Sequence, residues 1–247
     1  MKLIENPNLP YNRVKTVLLS GEYKEIIEEI NKLNISTITT SACEQLPKGE
    51  QYHADMQAVH INNEIMVLNE CKELIDKLIK NDINVNKTNV NVQNKYPFNV
   101  LLNCVILDKF VIMNKKTVSI EIYNLCEKIN KDIVNVNQGY TKCSTAVISD
   151  NAIITSDNGI YNECKKHKID VLKIKSGYID LPNYDYGFIG GTCTLIDKNN
   201  LLFTGNIKKH PDYELIKSYC LNYNVYLNTL TNNNLIDIGG ILPLSYE

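Results

Sequence analysis

Arginine is almost missing from this chain: of 26 basic residues in 247, Arg13 is the single arginine and the rest are lysines. No cluster of planar guanidinium forks is therefore available to grip phosphate or carboxylate groups in pairs. An excess of either charge is also missing. With 28 acidic side chains the formal net charge is −2, and general nucleic-acid binding, which rests on a basic surplus, is not expected. Long apolar runs are absent too. The longest candidate, VLLNCVILDKFVIM, is broken by Asn103, Asp108 and Lys109, so no membrane span is expected. The opening MKLIENPNLP carries an early acid and two prolines where a secretory h-region would be continuous. A cytoplasmic protein is the expectation. The eight cysteines contain no C-x-x-C pair and no H-x-x-x-H accompanies them, which leaves a structural zinc without support and reads as free thiols in a reducing compartment. GFIGG does not meet the G-x-G-x-x-G dinucleotide fingerprint. What remains, at 44% hydrophobic and 22% charged residues, is globular composition.

Within that composition one pattern recurs five times. Helical periodicity marks Glu22–Leu33, Glu70–Lys80, Ser119–Lys131, Gly159–Lys168 and Asp212–Asn222, with apolar stripes such as Ile26, Ile27, Ile30 and Leu33, or Cys71, Leu74, Ile75, Leu78 and Ile79. A β-rich run follows each helix: 35–41, 83–92, 133–139, 170–177 and 225–231. An apolar strand precedes each: 16–20, 65–69, 110–114, 152–156 and 201–205. Ahead of four of these strands, across polar turns at 62–63, 107–109, 149–151 and 197–200, lies one strand more. The unit is strand, turn, strand, helix, strand. The segments beginning at His60, Val105, Val147 and Leu195 register on one another at spacings of 45, 42 and 48 residues. The fifth first strand is 237–244, whose Ile238-Gly239-Gly240 matches Ile189-Gly190-Gly191, and its missing partner is the N-terminal strand at 16–20. The fold expected is α/β: a five-fold pseudosymmetric propeller of ββαβ units over residues 1–247, its ring closed by the two terminal segments, an arrangement that removes exposed sheet edges. An open sheet of mixed strands is the plainer alternative.

Several short segments stand out at strand openings or beside glycines. His53-Ala54-Asp55 stands in QYHADMQ at the opening of a first strand; Cys143 stands in NQGYTKCSTAVIS; Asp237 precedes the glycines of DIGG, and Phe188 takes the matching place in GFIGG. Each has a bland reading: a capped turn, a small buried hydrophobe, a strand-entry carboxylate. Together with the five-fold ring they resemble the guanidino-group-modifying enzymes, or penteins, a group that includes deiminases, dimethylarginine dimethylaminohydrolases, amidinotransferases and a non-catalytic ribosome-associated factor. The chain also resembles an uncharacterised clostridial family assigned to that fold. In the enzymes the acid unit directly precedes the histidine unit, and the cysteine unit lies two units further. Around the ring the order here agrees; along the chain it is circularly permuted.

That resemblance implies Cys143 as nucleophile, His53 as acid and base, Asp237 as a further catalytic carboxylate, and Asp55 and Phe188 as substrate-binding residues. Cys193, in GGTC beside the glycines, is the competing nucleophile, and Cys43 a lesser one. The implied reaction is thiolate attack on a small guanidine or amidine, loss of an amine, and hydrolysis of a covalent thiouronium, a deiminase-like C–N hydrolase. The implied partner is a small guanidine substrate, with no nucleic acid, membrane, cofactor or metal. An amidinotransferase, or a silent protein- or ribosome-binding module, are the alternatives. The shortage of arginine tilts the substrate away from free arginine, whose carboxylate would lack a fork to hold it.

Overall fold

The structure is a computed structural model and describes residues 2–246. In chain order, β1 (Val14–Leu19), α1 (Lys24–Lys32) and β2 (Ser36–Thr39) come first; a short α2 (Ala54–Gln57) then leads into β3 (Ala58–Ile61), β4 (Glu64–Val67), α3 (Lys72–Lys80) and β5 (Val85–Lys87). Three further sets follow: β6 (Val105–Ile106), β7 (Phe110–Met113), α4 (Ile120–Lys128) and β8 (Asp132–Asn135); β9 (Thr145–Ser149), β10 (Ala152–Thr155), α5 (Asn158–Lys166) and β11 (Asp170–Lys173); β12 (Cys193–Asp197), β13 (Asn200–Phe203), α6 (Tyr213–Leu221) and β14 (Tyr226–Thr229). The last strand is β15 (Ile241–Tyr246).

Five three-stranded sheets result, each with its middle strand antiparallel to the strand before it and parallel to the one after the helix. The split unit is real. β15 pairs antiparallel with β1, Leu19 opposite Ile241 and Val17 opposite Pro243, and Ile4 N donates to Leu244 O at 3.0 Å. The apolar cores interlock neighbouring units: Leu18 and Leu242 of the split unit share one cluster with Val59 and Val111, while Ile196 and Leu202 of the fourth unit share another with Val17 and Ile241. The second and third units meet through Val105, Ile112, Val147 and Ile153, and the third and fourth through Ile148, Ile154, Leu195 and Leu201. Burial therefore passes from unit to unit and returns to the first, which is the five-fold pentein arrangement.

The helices end by a device the sequence reading did not use. Asn34, Asp82, Asn130, Lys168 and Asn224 all have φ between 55° and 61°, each just past the end of a main helix. In four of the five, the next residue donates its N–H back to the carbonyl five residues earlier, as in Ile83 N to Leu78 O at 3.1 Å and Val225 N to Cys220 O at 3.0 Å. These are left-handed C-terminal caps in which Asp, Asn and, once, Lys do what glycine usually does. Differences from expectation are local. Ile79 is 56% exposed, off the buried stripe of α3. The strand expected over 83–92 shortens to β5, and the fifth first strand begins at Ile241, after the two glycines. Among the described residues no helix is long and apolar enough to cross a membrane.

Candidate active site

His53 is the N-cap of α2 and does not lie on the first strand; its backbone carbonyl accepts the N–H groups of Met56 and Gln57. Asp55 sits within α2, and its N–H donates to Gly239 O at 2.9 Å, joining the first unit to the split fifth. Asp237 lies in the loop before β15, not on it. Its Oδ1 accepts from Gly239 N at 2.9 Å and its Oδ2 from Phe188 N at 2.9 Å, so one carboxylate fixes both glycine-bearing loops. The loops need their glycines. Gly239 has φ +74°, and a Cβ there would stand 2.2 Å from His53 Cβ; a Cβ on Gly191 would stand 1.8 Å from Asp237 Oδ1.

Cys143 is held in the turn before β9 by Asn103, a fully buried amide the sequence reading had noted only as a break in an apolar run. Asn103 Oδ1 accepts from Lys142 N at 2.6 Å and Cys143 N at 3.4 Å, while its Nδ2 donates to Cys143 Sγ at 3.2 Å and to Asp55 O at 3.2 Å. The thiol donates to Asp55 Oδ2 at 3.1 Å. A lone polar residue in an apolar run is the signal that could have found Asn103, because a buried amide demands partners. Lys142 is also buried, its Nζ donating to Gly190 O at 3.3 Å.

His53, Cys143, Asp237 and Phe188 line one cavity of about 250 Å³, opened at the mouth of the ring. Asp55 does not line it; it lies behind the sulfur. Cys193 does not line it either: its thiol is turned to Ile189 O at 3.4 Å and packs among the apolar residues of the third and fourth units. Cys43 is buried in the core shared by the first two units. The cavity also collects Glu50, Tyr140, Tyr184, Asp185 and Tyr186, none of which the sequence reading singled out. Glu50 is buried and accepts from Tyr140 Oη at 2.9 Å, Tyr184 Oη at 2.6 Å and Asn99 Nδ2 at 2.9 Å. It stands in a loop with no local pattern to mark it.

Negative charge and burial dominate the electrostatics around the sulfur. Burial pushes the Cys143 thiol well above its ordinary pKa, and the Asp55 and Asp237 carboxylates push it further. Burial raises the Asp55 carboxyl as well, while His53 and Lys142 hold it down in part. Two buried polar atoms at the centre, His53 Nε2 and Asp55 Oδ1, have no hydrogen-bond partner. Buried polar atoms are nearly always satisfied, and of these two groups His53 lines the cavity.

Known structures share this fold. The agmatine deiminase of C. jejuni is 11% identical with a TM-score of 0.60, covering 98% of this chain and 96% of that one. The inosamine-phosphate amidinotransferase of Streptomyces griseus is 7% identical with a TM-score of 0.59, over 99% and 97% of the two chains. The dimethylarginine dimethylaminohydrolase of Pseudomonas aeruginosa is 8% identical with a TM-score of 0.53, over 88% and 93%. These are pentein structures, and at such identities the likeness is one of fold. Among curated proteins no relative matches this sequence. The model of a family of unknown function, DUF6873, matches residues 18–242. Built on the pentein fold, with its cysteine, histidine and carboxylates gathered at one mouth, the chain belongs to the DUF6873 family.

Proposed function

We propose that this site modifies the guanidine group of a small molecule through a covalent bond to Cys143, and that it does so as a deiminase-type hydrolase. The observation that carries the proposal is the meeting of Cys143, His53 and Asp237 on one cavity from three different units, with Asp55 in contact with the sulfur. The solved structures that share the fold bear the names of guanidine-modifying enzymes, which supports the class.

The raised thiol pKa fits the chemistry. Burial and two carboxylates oppose ionisation of Cys143. A bound guanidinium supplies the missing positive charge and favours the thiolate, and the thiol proton passes to His53. Sulfur then attacks the central carbon, forming the C–S bond, and the tetrahedral adduct expels an amine that takes a proton from His53. The thiouronium that remains is attacked by water with His53 as base. The C–S bond breaks, the thiol is restored and a ureido product leaves. Asp237, bonded to the backbone of both glycine loops, keeps His53 and Phe188 in register and adds negative charge near the planar cation.

The test is alkylation by chloroacetamidine with peptide mapping of all eight cysteines. Cys143 should be modified first, with guanidines protecting it, and both Cys143→Ser and His53→Ala should lose ureido formation by 100-fold or more, on the order expected for a nucleophile or an acid–base group. Preferred labelling of Cys193, or equal labelling of every thiol, would overturn the assignment.

A further inference from the structure

Part of the cavity lining, that around Glu50, has a chemistry distinct from that of the Cys143 thiol. Glu50 is 4% exposed, and three donors close around it: the Tyr140 and Tyr184 hydroxyls on Oε1 and the Asn99 amide on Oε2. Burying a carboxylate is costly, and these donors offset the loss of water. A hydrogen-bonded anion behind a phenol also makes its ring richer in electrons. The phenol protons are firmly held, since burial and the Glu50 charge drive both tyrosines up. In front of Glu50 the rings assemble into a wall. Tyr140 and Phe188 have centroids 6.1 Å apart, and Tyr186 meets Phe188 edge-on at 6.4 Å.

The charge count is one-sided. Glu50, Asp185 and Asp237 line the cavity, and no lysine or arginine does. None of the three makes an ion pair among the described residues. Lys142, the nearest buried cation, is turned to Gly190 O behind the sulfur, and Arg13 lines a different groove. One guanidinium at Cys143 leaves this surplus of negative charge in place. His53 Nε2, buried and without a partner, shows independently that the cavity takes a ligand.

We infer that the wall of Tyr140, Phe188 and Tyr186, backed by Glu50, is a subsite for a second positive charge, so that the substrate is a guanidine with a cationic tail and no carboxylate. This rests on the guanidine reading above. Electron-rich rings attract an ammonium, and a buried carboxylate behind them adds to the field. A carboxylate tail would meet three like charges and no cation, which rejects it.

The experiment compares three guanidines of equal chain length as protectors of Cys143 in the intact protein: 4-guanidinobutylamine, butylguanidine and 4-guanidinobutyrate. The amine should protect at a concentration roughly tenfold or more below the alkyl compound, the size of one desolvated cation–π contact, and the carboxylate should protect least. Glu50→Gln and, separately, Tyr140→Phe should each shrink the amine-to-alkyl ratio toward one. If the three protect alike, or the carboxylate protects best, the cation subsite is wrong and the guanidine chemistry stands. If none protects, the guanidine reading falls and the subsite with it.

Discussion

Cys143, His53 and Asp237 come from sequence positions as far apart as 53 and 237, yet each is met by a neighbouring unit: Cys143 N–H by Asn103, Asp237 by Phe188 N–H, and His53 by the backbone of Gly239. The sharpest of these is the approach of Gly239 to His53. Its φ of +74° lies in the region that L side chains avoid, and any Cβ would overlap His53. Gly239→Ala should therefore cost ~1–2 kcal/mol of stability through φ alone. It should also displace the imidazole. Urea unfolding together with the Cys143 alkylation rate checks this: the expected variant folds but reacts far more slowly, and unchanged reactivity would mean that His53 plays no part at the sulfur. Asn103 works the same way from the other side, since its amide holds both the Cys143 N–H and the sulfur.

Secondary-structure elements bind to one another through similar single points. His60 on β3 lies with Nδ1 2.9 Å from Pro243 O on β15, a bond between the first unit and the split one. Burial holds the ring neutral and lowers its pKa to about 4. The unfolded chain, with an ordinary histidine at ~6.5, takes up that proton earlier on acidification. The stabilisation is complete above pH ~6.5 and is lost as pH falls toward 4, a difference on the order of 3 kcal/mol. His60→Asn should be less stable at neutral pH and flatter across that interval. Chemical denaturation at pH 7, 5.5 and 4 measures it, and an acid limb as steep in the variant as in the parent would assign the loss to other groups.

At the level of the whole molecule, the eight free cysteines are all buried, and six of them make a distributed pH response. Burial pushes Cys126, Cys164, Cys193 and Cys220 up to about 12, and Cys104 and Cys143 well above their ordinary value. Unfolded thiols ionise near ~8.5. Between that pH and about 12 the unfolded state binds fewer protons than the folded one, so stability falls as pH rises. Each thiol contributes on the order of 1 kcal/mol per pH unit in that interval. Thermal unfolding under reducing conditions should show a steep decline between pH 8 and pH 10, and Cys164→Val should soften it; a flat profile would refute the burial argument. The interlocked cores make this a property of the ring, since every one of these thiols lies where units meet or where a helix packs on its sheet.

Periodicity was enough to order the elements. Five helices, their flanking strands and the split fifth unit follow from apolar spacing and turn chemistry, because those signals are local and repeat. The candidate residues His53, Cys143, Asp237, Asp55 and Phe188 stand beside glycines or strand boundaries, but it was the resemblance to the penteins that singled them out. Even the left-handed caps left a trace, as Asn, Asp or Lys between a helix and the next strand, in a chain with 11 glycines. Only the tertiary structure decided which groups share the cavity. Glu50 and Tyr184 are 134 residues apart and Asn103 is 40 from Cys143, so no window of sequence contains their hydrogen bonds. It also moved Asp55 behind the sulfur and turned Cys193 away into an apolar core. Position along a chain specifies which elements form, whereas the direction of a side chain at a ring's axis depends on the packing of units that meet only after the ring has closed.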